Sequence, residues 1–201
     1  MKKLLLAAAA LLCVTTGARA AIIPTLTSVT ADGSNFDWLY QGTLAGDQGL
    51  VDGSRLVIFD FKGYVAGSIF SPYANVTASV ENVSTGLILP PGMSDDPGLV
   101  NLVFTYHGPD FDASGGPFAD INFNGLMAQS TFGDLTQGLF SAQAVKNNGL
   151  GPGGAGTPAY NTGFVTVPGG LGVPEPVTWA LMLGGFALTG VSLRHRRALA
   201  I

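Results

Sequence analysis

The chain has 201 residues, 47% of them apolar and only 11% charged, with a formal net charge of −4. Between residues 21 and 173 only Arg55, Lys62 and Lys146 are basic, against twelve acids, so this stretch carries −9. Three scattered cations make no basic surface for phosphates, which excludes a nucleic-acid partner, and the single cysteine, Cys13, excludes a disulfide framework.

At the N-terminus, Met1 is followed by Lys2 and Lys3, an apolar run from Leu4 to Val14, and Ala18-Arg19-Ala20. A basic start, a short apolar run and an A-x-A site are the layout of a secretory signal peptide. The run is shorter than the roughly 20 residues of a membrane span. Residues 1–20 therefore read as a signal peptide with a helical apolar segment. Cleavage after Ala20, with Ala18 and Ala20 as the small residues of the site, makes Ala21 the mature N-terminus. Cys13 leaves with the signal, so the exported chain has no thiol chemistry.

Residues 21–167 read as one β-rich extracytoplasmic domain, a size that buries a core without disulfides. The scarcity of Lys, Arg and Glu removes the residues that exposed helix faces normally use. Gly and Pro together supply 41 residues, which favours turns. Phe36 to Tyr40 and Arg55 to Phe61 read as strands, with Gly63 turning into Tyr64-Val65-Ala66. Val76, Ala78 and Val80 alternate with Thr77, Ser79 and Glu81. Leu102, Phe104 and Tyr106 alternate with Val103, Thr105 and His107, and Ile121 and Phe123 with Asn122 and Asn124. A period of two is that of a half-buried strand.

Turn clusters at Pro90-Pro91-Gly92, Asp95 to Gly98 and Ser114 to Pro117 punctuate these runs. Strands at such spacing predict an all-β fold, a single β-sandwich or jelly-roll-like domain. One short helix is expected between about Leu126 and Val145. A Gly-rich loop over 147–158 precedes a last strand at Phe164 to Val167. Residues 168–173 read as a linker.

The tail from 174 to 201 opens with Pro174-Glu175-Pro176, continues through Val177-Thr178-Trp179-Ala180, and has no charge until Arg194, Arg196 and Arg197. Prolines at the front stop a helix from running backwards. The uncharged stretch is long enough for a marginal transmembrane helix, taken as 177–193, and the arginines hold its far end in the cytoplasm. These features resemble the PEP-CTERM sorting signal of Gram-negative bacteria, in the variant written PEP-x-x-W-A. Pro174, Glu175, Pro176, Trp179, Ala180 and the Arg194, Arg196, Arg197 cluster carry that likeness, which is confined to the tail. The resemblance implies an exosortase-like processing enzyme as partner and an inner-membrane-anchored precursor. It also implies delivery to the cell surface or extracellular matrix, in association with exopolysaccharide.

Inside the domain the sharpest constellation is Asp110-Phe111-Asp112-Ala113-Ser114-Gly115-Gly116, with Asp95-Asp96 before it and Asp120 after it. Calcium takes oxygen ligands from such loops, which makes Asp95, Asp110 and Asp112 the candidate metal residues. The loop completes no EF-hand and does not repeat, and Asp-Gly pairs also simply form turns. The expectation is accordingly no cofactor, with calcium as the alternative. His107 has no G-x-S-x-G nucleophile elbow to serve and reads as a surface residue. No catalytic residues are assigned. Trp38, Tyr40, Tyr64, Tyr73, Tyr106 and Tyr160 either stack on sugar rings or build the core, and most are expected in the core. The resulting expectation is a non-enzymatic matrix protein that binds exopolysaccharide. A secreted polysaccharide hydrolase using paired Asp residues, and an adhesive protein with a protein partner, are the alternatives.

Overall fold

The computed structural model describes residues 21–84, 86–149 and 154–170. The expected signal peptide and the expected sorting tail, with the two helices predicted in them, lie outside the described residues. Among the described residues the chain is all-β, with no helix and none long and apolar enough to cross a membrane. Nine strands follow in order: β1 (Ile22–Asp32), β2 (Asn35–Leu44), β3 (Gln48–Gly49), β4 (Arg55–Phe61), β5 (Val76–Glu81), β6 (Val100–Tyr106), β7 (Ile121–Ser130), β8 (Leu135–Lys146) and β9 (Pro158–Pro168).

Every pairing is antiparallel. The smaller sheet runs β1-β2-β7, and its outer edge is met by single bridges from Tyr64 to Ser130 and from Phe70 to Met127. In the larger sheet β9 lies along one edge of β8, from Leu135 to Val145, while β4 and the short β3 share the other edge. β6 and then β5 extend that sheet beyond β4.

Alternation decides which side chains meet. On β2, Trp38, Tyr40 and Leu44 point into one shared cluster with Leu56 and Ile58 of β4, Leu102 and Phe104 of β6, and Phe140, Ala142 and Ala144 of β8. Burying each large apolar side chain contributes roughly 1.5–3 kcal/mol, so this layer is what holds the two sheets together. The polar ends of its aromatics are satisfied: Trp38 Nε1 donates to the Phe132 carbonyl (3.1 Å) and Tyr40 Oη to the Thr166 carbonyl (3.0 Å). Burial pushes the Tyr40 phenol above its ordinary value, so it stays a neutral donor.

The central strands are apolar on both faces. Val57, Phe59, Val103 and Leu139 form a second, smaller cluster on the outer face of the larger sheet, covered by Leu87 and Leu89 of the β5–β6 connection. This explains why Arg55 to Phe61 reads as a continuous apolar run rather than an alternating one.

The helix expected over Leu126–Val145 is not formed; those residues are the second half of β7 and most of β8. Their alanines are good helix formers, but Ala128, Ala142 and Ala144 are completely buried where the sheets approach closely and only a small side chain fits. Packing across the layer outweighs intrinsic propensity here. Gly125, at φ +83°, is the extra residue of a bulge that re-registers β7 between Tyr40 and Gln41 of β2, a backbone conformation that favours glycine. β1, which had no distinct signal of its own, is the longest partner of β2.

One site leaves room in the core. Gly42 lines an apolar void of about 40 Å³ together with Ile22, Leu56 and Leu126, and an added methyl would meet Ile22 Cγ2 at an ordinary 3.4 Å. Gly42→Ala is expected to raise unfolding stability by about 0.5–1 kcal/mol in denaturant titration; a loss of stability would show the two sheets to be closer at this point than described.

Candidate ligand-binding groove

Asp60 is placed by a defect in β4. Ile58 pairs with Leu102 and Phe61 with Val100, so β4 carries one residue more than β6 across this interval. The bulge returns Phe61 to the shared core, where it meets Trp38 edge-on at 6.0 Å, and it keeps Asp60 out of that core. Asp60 adopts φ +54°, a left-handed conformation in which Asp and Asn are among the more tolerated non-glycine residues.

Asn101 fixes the surroundings. It is completely buried, yet all its bonds are made. Its Oδ1 accepts from Asp60 N (2.9 Å), and its Nδ2 donates to both carboxylate oxygens of Asp95 (3.0 and 2.9 Å). Asp95 also accepts from Ser84 N (3.0 Å), and Asp60 Oδ1 accepts from Asp96 N (3.0 Å). One amide thus ties the end of β4, the start of β6 and both ends of the β5–β6 connection into a single unit. Ser141 Oγ adds a further anchor on the Ile88 carbonyl (2.8 Å).

The unit walls a groove of about 600 Å³ lined by Asp60, Lys62, Met93, Asp96, Gln137, Leu139 and Phe164, among others. Burial pushes the Asp60 carboxyl above the usual carboxylate range. The Asp96 amide pulls it back, the Asp95 and Asp96 charges push it further up, and Lys62 opposes them. The groove is contiguous with a second depression of about 400 Å³ through Gln137 and Phe164, and that one with a third through Leu26 and Leu135. Together they form a trough that passes over the outer face of β8 and β9 and on to β1.

Several large apolar side chains along this trough are open to solvent: Leu135 is 62% exposed, Phe164 54%, Met93 45% and Ile23 41%. On β9, Tyr160 and Phe164 stand four residues apart and therefore face the same way, opposite to the buried Val165 and Val167. Their separation along the strand is roughly 13 Å at 3.3 Å per residue. Comparably exposed apolar side chains occur elsewhere, as at Phe70, Val83 and Ile88, so what marks the trough is their combination with carboxylates in one depression.

The residues singled out in the sequence divide differently. Asp95 lies at one end of β6 and Asp110 and Asp112 beyond the other, roughly 20 Å apart along seven strand residues, so these three are not brought together. Among the described residues no three His, Cys, Asp or Glu side chains gather as a metal-ligating group. Trp38 and Tyr40 are in the core, and Tyr64, Tyr73 and Tyr106 pack against it; only Tyr160 of that set is open. His107 lies at the surface, with Nδ1 2.8 Å from Asp52 Oδ1. Asp60 and Phe164 carry no local motif that marks them, and Asp96 stood out only beside Asp95 ahead of the 110–116 loop; for Asp60, a charge inside a long apolar run was the one available signal. The residues expected to form the sorting motif, and Ala18 and Ala20 of the expected cleavage site, lie outside the described residues; Ala21 is described and completely buried.

No protein-family model matches the chain, and no curated protein or solved structure is significantly similar to it.

The Asp60 environment makes a pH prediction. A carboxyl whose pKa is raised on folding binds its proton more tightly in the native state, so its contribution is full below the unfolded value of about 3.9 and is lost as pH rises through the higher native value. Asp60→Asn keeps an acceptor for the Asp96 amide and tolerates the backbone conformation. Thermal melts are expected to show the variant more stable than the wild type at pH 7 and the gap closing as pH is lowered towards 4; a gap that widens on acidification would contradict the assignment.

Proposed function

We propose that this chain is an exported, surface-sorted, non-enzymatic protein whose β-sandwich domain binds exopolysaccharide along the trough over β8 and β9. The observation that carries the reading is the pairing of an exposed ring, Phe164, with carboxylates in one open groove. Phe164 offers an apolar face for the C–H surface of a sugar ring, and Tyr160 is a second exposed ring farther along β9, outside the groove lining. Asp60, Asp96 and Gln137 offer acceptors for hydroxyl groups. An open trough that continues past the first depression suits a polymer better than a small molecule, which would be largely enclosed. The tail supports the same destination. Its Pro174-Glu175-Pro176, Trp179-Ala180 and arginine cluster resemble a signal handled by an exosortase-like enzyme, with a membrane-anchored precursor delivered to the surface or matrix of a Gram-negative bacterium.

A second reading, a polysaccharide hydrolase, is favoured by one observation: two carboxylates, Asp60 and Asp96, line the same groove, and burial raises Asp60 above its ordinary value.

Co-sedimentation of the full exported chain with the producing cell's own exopolysaccharide separates these readings. Saturable binding without shortening of the polymer is expected. Phe164→Ala, at an exposed position, should weaken binding roughly tenfold while leaving the melting temperature nearly unchanged. Shortening of the polymer that is abolished by Asp60→Asn would establish the hydrolase instead, and no binding at all would remove the glycan reading.

A further inference from the structure

Away from the trough, the turn before β3, the end of β8 and the 110–120 loop meet in a small polar junction. Gly46 N donates to Asp120 Oδ1 (2.9 Å), and Phe118 N donates to the Gly46 carbonyl (2.6 Å). Asn147 N donates to the Asp47 carbonyl (3.2 Å), which makes Asp47 and Asn147 cross-strand neighbours. In the same junction three side-chain oxygens, Asp47 Oδ1, Gln48 Oε1 and Asn147 Oδ1, are buried and accept no hydrogen bond from any described residue. Gln48 is 4% exposed and Asn147 fully buried.

The orientation of Asn147 is determined by its partners. Its Nδ2 donates to the carbonyls of Gly46 and Gln48, both at 3.0 Å, so a flipped amide would set oxygen against oxygen twice. Oδ1 is therefore an acceptor with nothing to accept. A buried acceptor left in this state costs about 1–3 kcal/mol, and native folds leave few such groups without a compensating ion or water. Asp47 and Gln48 are consecutive and Asn147 lies across from Asp47, so the three acceptors belong to one small region, and the carboxylate among them favours a cation over neutral donors.

We propose that Asp47, Gln48 and Asn147 form a structural calcium site that staples the 110–120 loop to the ends of β3 and β8. All three are hard oxygen ligands of the kind calcium accepts, carboxylate and amide together. Asp120, whose Oδ1 accepts from Gly46 N, adds negative charge to the junction. With a single carboxylate among the three, the affinity belongs in the weak range of extracellular modules, on the order of 10⁻⁴–10⁻³ M. The site is separate from the trough and stands or falls without it.

The test is thermal unfolding of the full exported chain in detergent, first in chelator and then in calcium at about 10 mM. Binding in the stated range is expected to raise the melting temperature by about 3–10 °C. Asp47→Asn should abolish that rise, while Asp95→Asn and Asp110→Asn retain it. Should Asp47→Asn fail to fold, Gln48→Met decides: it removes one acceptor, so it is expected to melt in chelator at or above the wild-type temperature and to lose the calcium response. No rise in the wild type, or a rise that survives Gln48→Met or Asp47→Asn, overturns the proposal.

Discussion

A strand buried on both faces needs two covers, and the architecture follows from supplying them to β4 and β6. The smaller sheet covers one face through Trp38, Tyr40 and Leu44. The other face is covered by a connection with no regular structure, which lays Leu87 and Leu89 over Val57, Phe59 and Val103. A loop used as a lid has to be anchored by polar bonds, because it has no ladder of its own. Asn101 supplies the anchor, with its amide bonded to Asp60, Asp95 and, more weakly, Ser84 (3.4 Å). The groove is the space left at the border of that lid, where it stops short of β8 and β9.

The same economy places the charge. A regular β4 would send Asp60 into the shared core, where an unpaired carboxylate is too costly to remain ionised. The bulge steps over it, and the carboxylate emerges at the groove with a bonded backbone on either side. Local strain at a non-glycine residue is here coupled to the position of the most perturbed carboxyl among the described residues. The trough thus depends on features that serve stability first: the bulge protects the core, the Asn101 amide secures the lid, and the outer faces of β8 and β9 are what the lid does not reach.

Much of the all-β character was legible in the sequence, because alternation records one-sided burial directly. β5, β6 and the start of β7 lie where the period-two pattern puts them, and β4 where its continuous apolar run does. The second half of β7 and β8 were misread as helix, since alternating Gln and Ala residues satisfy helix propensity and only the opposing sheet requires the alanines to be small. β1 was missed because its burial is weak: beyond Leu26 its side chains are mostly open, so no stripe is selected. The groove was not legible at all. Asp60, Asp96, Gln137 and Phe164 come from separate strands and a loop, and nothing local in the sequence announces that registers and a bulge bring them to one place. The Asp110–Asp112 constellation, conspicuous in sequence, turns the chain between β6 and β7 and packs its backbone on Gly49.

Hydrogen exchange of the full chain, with and without the producing cell's exopolysaccharide, addresses the central claim directly because it reports where a ligand sits. The account predicts slower exchange confined to residues 93–96, 135–139 and 160–168, with the β1–β2 hairpin tip around Gly33 unchanged. Protection centred on the β1–β2 tip or on the 110–120 loop, with the β8–β9 face unaffected, would contradict it.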